Sequence, residues 1–330
     1  MSISIVINNY NYGRFLGEAI RSALEQSIAA LEVIVVDDGS TDNSRDVIES
    51  FGSQIHPIYQ LNGGQAAAFN SGIRAAKGDW VWLLDADDVL KPNALEIGTG
   101  LICPGVSRIA MGLQNIDASG KPLGCQIPNL GRAFTGPLHE AILQQGSLIG
   151  IPTSGNLFRR DALNAILPVP EKKFRICADA YLYVMTALYG TLRAESAIVG
   201  DYRIHGDNNY NQFLTKGDNK NGITKQLANA IRLRELLEIY GDTLSIPLKN
   251  RLTSFWHQDQ MISLIFQAKL IGIQMAELRQ WPWWRLLCSY FSILCSSILP
   301  LKRRIILLKQ FAKYSITLLR SDFIYCKFRF

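Results

Sequence analysis

No two cysteines in this chain stand at a Cys-x-x-Cys spacing, although six are present: Cys103, Cys125, Cys177, Cys288, Cys295 and Cys326. Their spacing suggests neither a zinc knuckle nor a redox dithiol, so free thiols in a reducing compartment are expected. The first residues carry no basic head and no cleavable apolar segment. A secretory signal is therefore not expected, and a cytoplasmic location is. Internal repeats and low-complexity tracts are absent too. The uncharged stretch at residues 286–301 is short. As a helix it would reach about 24 Å, against a bilayer core of about 30 Å.

What is present is an ordinary apolar fraction, 48%, in 330 residues. That suffices for one large domain, or one domain with an appendage. Charge is distributed unevenly. Residues 1–219 hold 17 Lys+Arg against 22 Asp+Glu, and residues 220–330 hold 17 against 6. An acidic front and a basic back point to regions with different partners.

The front alternates strand and helix. Residues 3–7 and 31–36 are short runs rich in β-branched residues, as in strands buried on both faces. Between them Phe15, Leu16, Ala19, Ile20, Ala23 and Leu24 share a helical face. Thr41 or Asp42 could cap a second helix. Pro57 puts the strand at 55–59 near a sheet edge. A helix is predicted over 66–76, a strand over 79–84, and a helix beginning near Pro92. Further on, strands are predicted at 108–116 and 192–199, a loop at 117–137 and a helix at 181–189. Beyond about residue 216 helical patterns take over. The whole predicts a mostly parallel twisted sheet with helices on both faces.

In such sheets ligands bind outside the carboxyl ends of the strands. Three polar clusters fall there: Asn8-Asn9-Tyr10-Asn11, Asp37-Asp38-Gly39-Ser40 and Asp85-Ala86-Asp87-Asp88. One Asp-Gly alone is a turn; three clusters at corresponding strand ends describe a site. Asp85 and Asp87, two apart in an extended segment, would face one spot beside the small Ala86. Paired carboxylates call for a cation, and Mg²⁺ or Mn²⁺ suits oxygen ligands.

From residue 3 to residue 88 the chain resembles family 2 of the inverting glycosyltransferases. The resemblance rests on Tyr10-Asn11, on Val36-Asp37-Asp38-Gly39-Ser40-Thr41-Asp42, and on Asn62-Gly63-Gly64 with Asn70-Ser71-Gly72. It closes on Ala76-Lys77-Gly78-Asp79 and Leu84-Asp85-Ala86-Asp87-Asp88. It extends, more sparsely, to about residue 210. It implies an α/β fold of the GT-A type over residues 1–215, with a basic helical region at 216–330. It also implies a nucleotide-sugar donor, a UDP-sugar by preference, while the basic back half suggests a glycan or lipid-linked acceptor.

Residue by residue, the resemblance puts Asn8 and Tyr10 in the donor site, with Tyr10 stacked on the base. Asp38 or Asp37 would bond the base or ribose. Gln65 and Asn70 would serve the donor or act as surface or capping amides. Asp85 would meet ribose or metal beside Ala86, and Asp87 would bind the metal, Mn²⁺ or Mg²⁺. Asp179 matches the family's general base, though an N-cap role would suit it equally. His205, in Tyr202-Arg203-Ile204-His205, could join the metal or be structural. Two departures stand out: Ala178 where relatives often have Glu, and Asn8 where they often have Pro.

Other readings stay open. A sugar-phosphate nucleotidyltransferase would want a Gly-rich basic loop after the first strand, and here only Gly13 and Arg14 follow. An inactive sugar-nucleotide fold acting as a membrane scaffold would not need Asp38, Asp85, Asp87 and Asp179 together. Processive synthases carry a Gln-x-x-Arg-Trp motif and several spanning helices, which this chain lacks. Transfer of one sugar per encounter is therefore expected.

The back half carries its own pattern. Trp281, Trp283 and Trp284 precede the uncharged stretch, and Lys302, Arg303 and Arg304 follow it. Lys302, Lys309, Lys313 and Arg320 fall on one helical face, with Ile305, Ile306, Leu308, Ile316 and Leu319 elsewhere. Aromatics, a basic face and an apolar face describe a helix lying in a membrane interface. A helix packed on the first region or on a partner subunit is the alternative. Nothing resembles a groove-reading nucleic-acid motif. The oligomeric state is not set by the sequence. The interfacial reading predicts co-flotation with anionic liposomes at low salt; protein left at the bottom of the gradient would refute it.

Overall fold

A computed structural model describes residues 1–127 and 152–206, with Gly136, Asn208, Leu236, Ile239, Tyr240, Asp242 and Thr243. Met1–Asn208 forms one compact unit. The predicted basic amphipathic segment, including the tryptophans and residues 286–320, lies outside the described residues.

The unit opens with β1 (Ile3–Asn9), α1 (Gly13–Leu24), β2 (Glu32–Asp37), α2 (Ser44–Ser50), β3 (His56–Tyr59), α3 (Gln65–Ala75) and β4 (Trp80–Asp85). It continues through β5 (Val89–Leu90), α4 (Ala94–Gly100), β6 (Val106–Asp117) and β7 (Pro122–Ile127). After the undescribed stretch come β8 (Asn156–Arg159), α5 (Arg160–Ile166), α6 (Ala178–Met185) and β9 (Thr191–Ile204). The strands form a single sheet in the order β3-β2-β1-β4-β8-β6-β9-β5, with β7 beside β6.

The half built first, β3-β2-β1-β4, is parallel throughout. β1, β2 and β4 are buried because helices cover both faces, while β3 at the edge is largely exposed. Ile5, Ile7, Val33 and Val35 point into one core with Leu16, Ala19, Ile20 and Ala23 of α1. The alternate residues face α3: a Cβ on Gly72 would sit 2.3 Å from Val6 Cγ1 and 3.2 Å from Val36 Cγ2. Each fully buried aliphatic side chain contributes on the order of 1.5–3 kcal/mol.

The later half is mixed. β8 runs antiparallel to both β4 and β6, β5 antiparallel to β9, and β6 parallel to β9. Trp82, fully buried, donates Nε1–H to the Ser154 carbonyl at 2.9 Å and so ties the halves together.

Several expectations need correction. The predicted loop at 117–137 contains β7, whose exposed residues give little apolar signal. The second helix starts at Ser44 with Asn43 as N-cap, not Thr41 or Asp42. The Asp42 carboxylate instead takes the Ser44 N–H at 3.0 Å and the Gly13 N–H at 2.9 Å. Pro92 lies just before α4, whose N-cap is Asn93. Pro57 does sit in an edge strand, β3.

Register matters most for function. In the parallel half Asn8 pairs with Asp85, and Asn9 with Asp37. The three strand ends therefore stop at one level, and their polar residues share one edge. Gly72→Val should cost about 1–3 kcal/mol by overpacking the α3–sheet contact, read as a lower denaturation midpoint.

Candidate active site

The site begins where β4 stops. Asp85 receives the Asn8 side-chain amide at 3.0 Å. The chain then turns rather than continuing extended: Asp88 N–H bonds back to the Asp85 carbonyl at 3.1 Å. The extended geometry expected for Asp85-Ala86-Asp87 is thus replaced by a turn. Ala86 is 2% exposed and packs in the apolar core, so it does not line the donor site as expected. Its small size serves packing.

Polar groups hold this acidic turn from several sides. Ser154 Oγ donates to Asp88 Oδ2 at 2.5 Å and accepts the Asp85 N–H at 3.1 Å. Arg203, 2% exposed, gives its backbone N–H to Asp88 at 2.9 Å and its Nε–H to the Asp87 carbonyl at 2.9 Å. The same guanidinium reaches the Ala118 carbonyl at 3.3 Å and Glu18 Oε2 at 2.6 Å. It also lies over the Phe15 ring, 4.9 Å from the centroid.

Asp87 meets His205 Nε2 at 2.9 Å and the Asn208 side-chain amide at 3.2 Å, both through Oδ2. His205 is held against the Tyr12 and Phe15 rings, with centroids 5.5 and 5.1 Å away. Asn208 Oδ1 accepts the His205 N–H, and its amide donates to the Arg203 carbonyl at 2.8 Å.

Like charges crowd this corner. Burial, then the Asp87 charge, pushes the Asp85 carboxyl up to about 7. Burial, then Asp87 and Asp85, raises Asp88 well above the usual carboxylate range. A divalent cation would relieve that repulsion, and carboxylate oxygens with an imidazole are suitable donors for Mn²⁺ or Mg²⁺. Among the described residues no group of three or more His, Cys, Asp or Glu could hold an ion alone. An ion at Asp87 and Asp85 would need further oxygen ligands from water or a bound molecule.

Asp179 is the second residue of α6, and the N-cap position falls to Cys177. The expected N-cap alternative for Asp179 is therefore excluded. Its Oδ1 accepts the Ala180 N–H at 2.9 Å, and the Tyr183 hydroxyl also bonds it. Burial raises its pKa, while these bonds and the Arg108 charge oppose the rise. Its partner Tyr183 also meets Asn156 at 3.4 Å, two residues from the Ser154 that bonds Asp85 and Asp88.

Beneath it lies Arg108, 2% exposed, stacked on Tyr183 at 4.0 Å and bonded to Asn156 Oδ1 at 2.9 Å. Burial lowers its pKa to about 10, which leaves it charged at neutral pH.

The first two clusters are also placed at the edge. Tyr10 follows β1 and is 46% exposed, a ring open to a partner. Asp37 is taken up by Asn9 Nδ2 at 2.9 Å and Ser40 Oγ at 2.5 Å. It closes the ends of β1 and β2. Asp38 takes the Gly63 N–H at 2.9 Å, the Gly64 N–H at 2.7 Å and Gln60 Nε2 at 2.7 Å. Successive backbone amides around one carboxylate fix the loop after β3.

Asn70 departs from expectation. Its amide donates to the Val169 carbonyl and Glu171 Oε1, both at 3.0 Å, and accepts the Val169 N–H at 2.8 Å. A buried amide so engaged is a fastening, not a donor contact. Gln65 Oε1 accepts the Ala178 N–H at 2.9 Å, and this oxygen too is turned toward the protein. The sequence reading missed Arg108, Ser154, Tyr183 and Asn208 as site residues. Arg108 had one available signal, a lone charge in the otherwise uncharged strand β6 before Asp117.

Residues 4–167 match the model of the glycosyl transferase family 2. The glycosyltransferase alr2836 of Nostoc sp. is 42% identical over 216 residues, 64% of this chain and 67% of that protein. The glycosyltransferase GlyG of Streptococcus pneumoniae is 42% identical over 98 residues, 28% of this chain and 33% of that protein. Among solved structures, S. aureus TarS 1–349 in complex with UDP aligns with a TM-score of 0.52 and 18% identity, covering 89% of this chain and 90% of that one. The mannosyltransferase PcManGT of Pyrobaculum calidifontis, in complex with GDP-Man and Mn²⁺, aligns with a TM-score of 0.50 and 15% identity, covering 97% and 86%. The shared fold is GT-A.

Mn²⁺ with UDP should raise the melting temperature, because a ligand of the folded state stabilises it by mass action. Asp87→Ala should lose the part of that shift that depends on Mn²⁺. An equal Mn²⁺-dependent shift in the variant would remove Asp87 as a ligand.

Proposed function

Because this chain belongs to glycosyl transferase family 2, we propose that it moves a single sugar from a nucleoside-diphosphate sugar to an acceptor hydroxyl with inversion. The observation that carries this reading is the acidic turn at the end of β4, at the same sheet edge as Asp37 and Asp38. The preferred donor is a UDP-sugar, consistent with the UDP complex of TarS, and the divalent ion is consistent with the Mn²⁺ complex of PcManGT.

Tyr10 offers its exposed ring to the nucleobase, and Asp38 shapes the loop beneath the nucleoside. Asp87 and Asp85 would hold Mn²⁺ or Mg²⁺ together with oxygens of water or of the donor, and His205, bonded to Asp87 at 2.9 Å, would orient that carboxylate. Bound there, the ion would supply Lewis-acid stabilisation of a diphosphate leaving group.

The protein's own residues supply the rest. An alcohol is a poor nucleophile at neutral pH, so a positioned carboxylate must accept its proton. Asp179 is that carboxylate: the hydroxyl proton passes to it as the oxygen attacks the anomeric carbon. Tyr183 and Arg108 keep Asp179 oriented and favour its ionised form. Arg203 and Ser154 hold the acidic turn rigid.

We assign catalysis to residues 1–215 and attachment to residues 216–330, where the basic amphipathic pattern fits the inner face of a membrane. No helix among the described residues is long and apolar enough to cross a membrane. A surface polysaccharide or glycolipid in assembly is the acceptor class such an attachment serves.

Asp179→Asn should lower kcat by about 10²–10⁴-fold while leaving UDP affinity intact. The pH profile adds an independent check. A base must be ionised, and burial raises the Asp179 pKa from 3.8, so activity should fall with acid above the usual carboxylate range. Normal turnover in the variant would refute the assignment.

A further inference from the structure

The segment that delivers Asp179 is bonded to α3 at both ends. At its start, Val169 exchanges N–H and carbonyl bonds with the buried Asn70 amide at 2.8 and 3.0 Å. At its end, the Arg175 carbonyl accepts the Gln65 N–H at 2.8 Å. The Gln65 side chain then accepts the Ala178 N–H at 2.9 Å, 113 residues along the chain. That amide belongs to the first turn of α6, where helix geometry leaves N–H groups without intrahelical partners. Asp179 is the next residue.

The loop on the other side of Gln65 is equally constrained. The Asp38 carboxylate holds Gly63 and Gly64. Arg175 reaches back to the Asn62 side chain. Gly64 has φ +89, and a Cβ there would lie 2.4 Å from Arg175 Cγ and 2.6 Å from the Arg175 carbonyl oxygen. No side chain fits between the two segments. Cys177 is itself left-handed, at φ +61, a conformation that surrounding bonds must hold.

We propose that α3 couples the nucleoside pocket to the general base, with Gln65 as the positioning residue. The path runs from Asp38 through Gly63 and Gly64 to Gln65, and from Gln65 Oε1 through Ala178 to Asp179. Gln65 thereby holds the first turn of α6, and Asp179 with it, against the Asp38 loop, and a nucleotide bound at that loop further slows the opening of this turn. This rests on Asp179 being the base and on the nucleotide lying at Asp38.

The test uses the full chain with Mn²⁺, and with UDP and GDP in parallel as probes. Hydrogen exchange at residues 177–180 should slow when the nucleotide that binds is added. Gln65→Met, which keeps the length but removes the acceptor, should lose that protection while nucleotide affinity stays within about twofold. Its kcat should fall about 10- to 100-fold, the scale of a small misplacement of a reacting group. Gln65→Glu, which keeps an acceptor oxygen, should restore both readouts. Arg175→Gln, at an exposed position, should lose protection in the same direction if Gln65→Met does not fold.

Affinity lost in step with kcat in Gln65→Met would make Gln65 a donor contact and overturn the coupling. So would full protection in Gln65→Met, or in Arg175→Gln where that variant stands in. An inactive Asp179→Asn beside a normal Gln65→Met would sink the coupling alone. An active Asp179→Asn, or binding of neither nucleotide, would sink the functional reading beneath it.

Discussion

Several carboxylates gathered at one sheet edge are the constraint around which the rest of this unit is arranged. Asp85, Asp87 and Asp88 stand in one turn, where burial and mutual repulsion push the Asp85 and Asp88 carboxyls up. Isolated in a low-dielectric setting, such charges are costly, so each must be bonded, neutralised or given a cation. Every element around the turn contributes to that compensation. β1 supplies the Asn8 amide, the short helical turn before β8 supplies Ser154, β9 supplies Arg203, and His205 follows directly after β9. The residual excess of negative charge is what a divalent ion would balance.

Arg203 shows how fold and site share parts. One buried side chain connects the acidic turn, α1 through Glu18, and the turn after β6 through Ala118. Glu18 is half exposed, but Arg203 is buried, and a buried charge stripped of its partners is costly. The arginine that steadies the site is therefore also a fastening of the fold. Arg108 plays the matching part beneath Asp179, where its charge and its stacking on Tyr183 act on a carboxylate from a different stretch of chain.

The parallel half was largely legible in the residues. Periodicity placed the strands and helices to within a few positions, since alternation of apolar runs and amphipathic faces is a local property. Pro57 located an edge strand for the same reason. The loop assigned to 117–137 hid β7, because a strand with little buried surface leaves no apolar pattern. The two-residue β5 is too short to carry any periodicity.

Within the site, the residue types and spacings of the strand-end clusters singled out Asp38, Asp85 and Asp87 as candidates, and the family resemblance singled out Asp179. Those are properties of the chain as written, along with charge balance and the family resemblance. What each group touches was settled by the tertiary structure alone. Asn70 and Gln65, readable from sequence as donor-site or as capping amides, are bonded to Val169 and Ala178 about a hundred residues away. Ala86 turned inward because the chain bends after β4. The physical reason is common to all three: a hydrogen bond or a packing contact depends on where two distant segments meet, and no local pattern records that meeting.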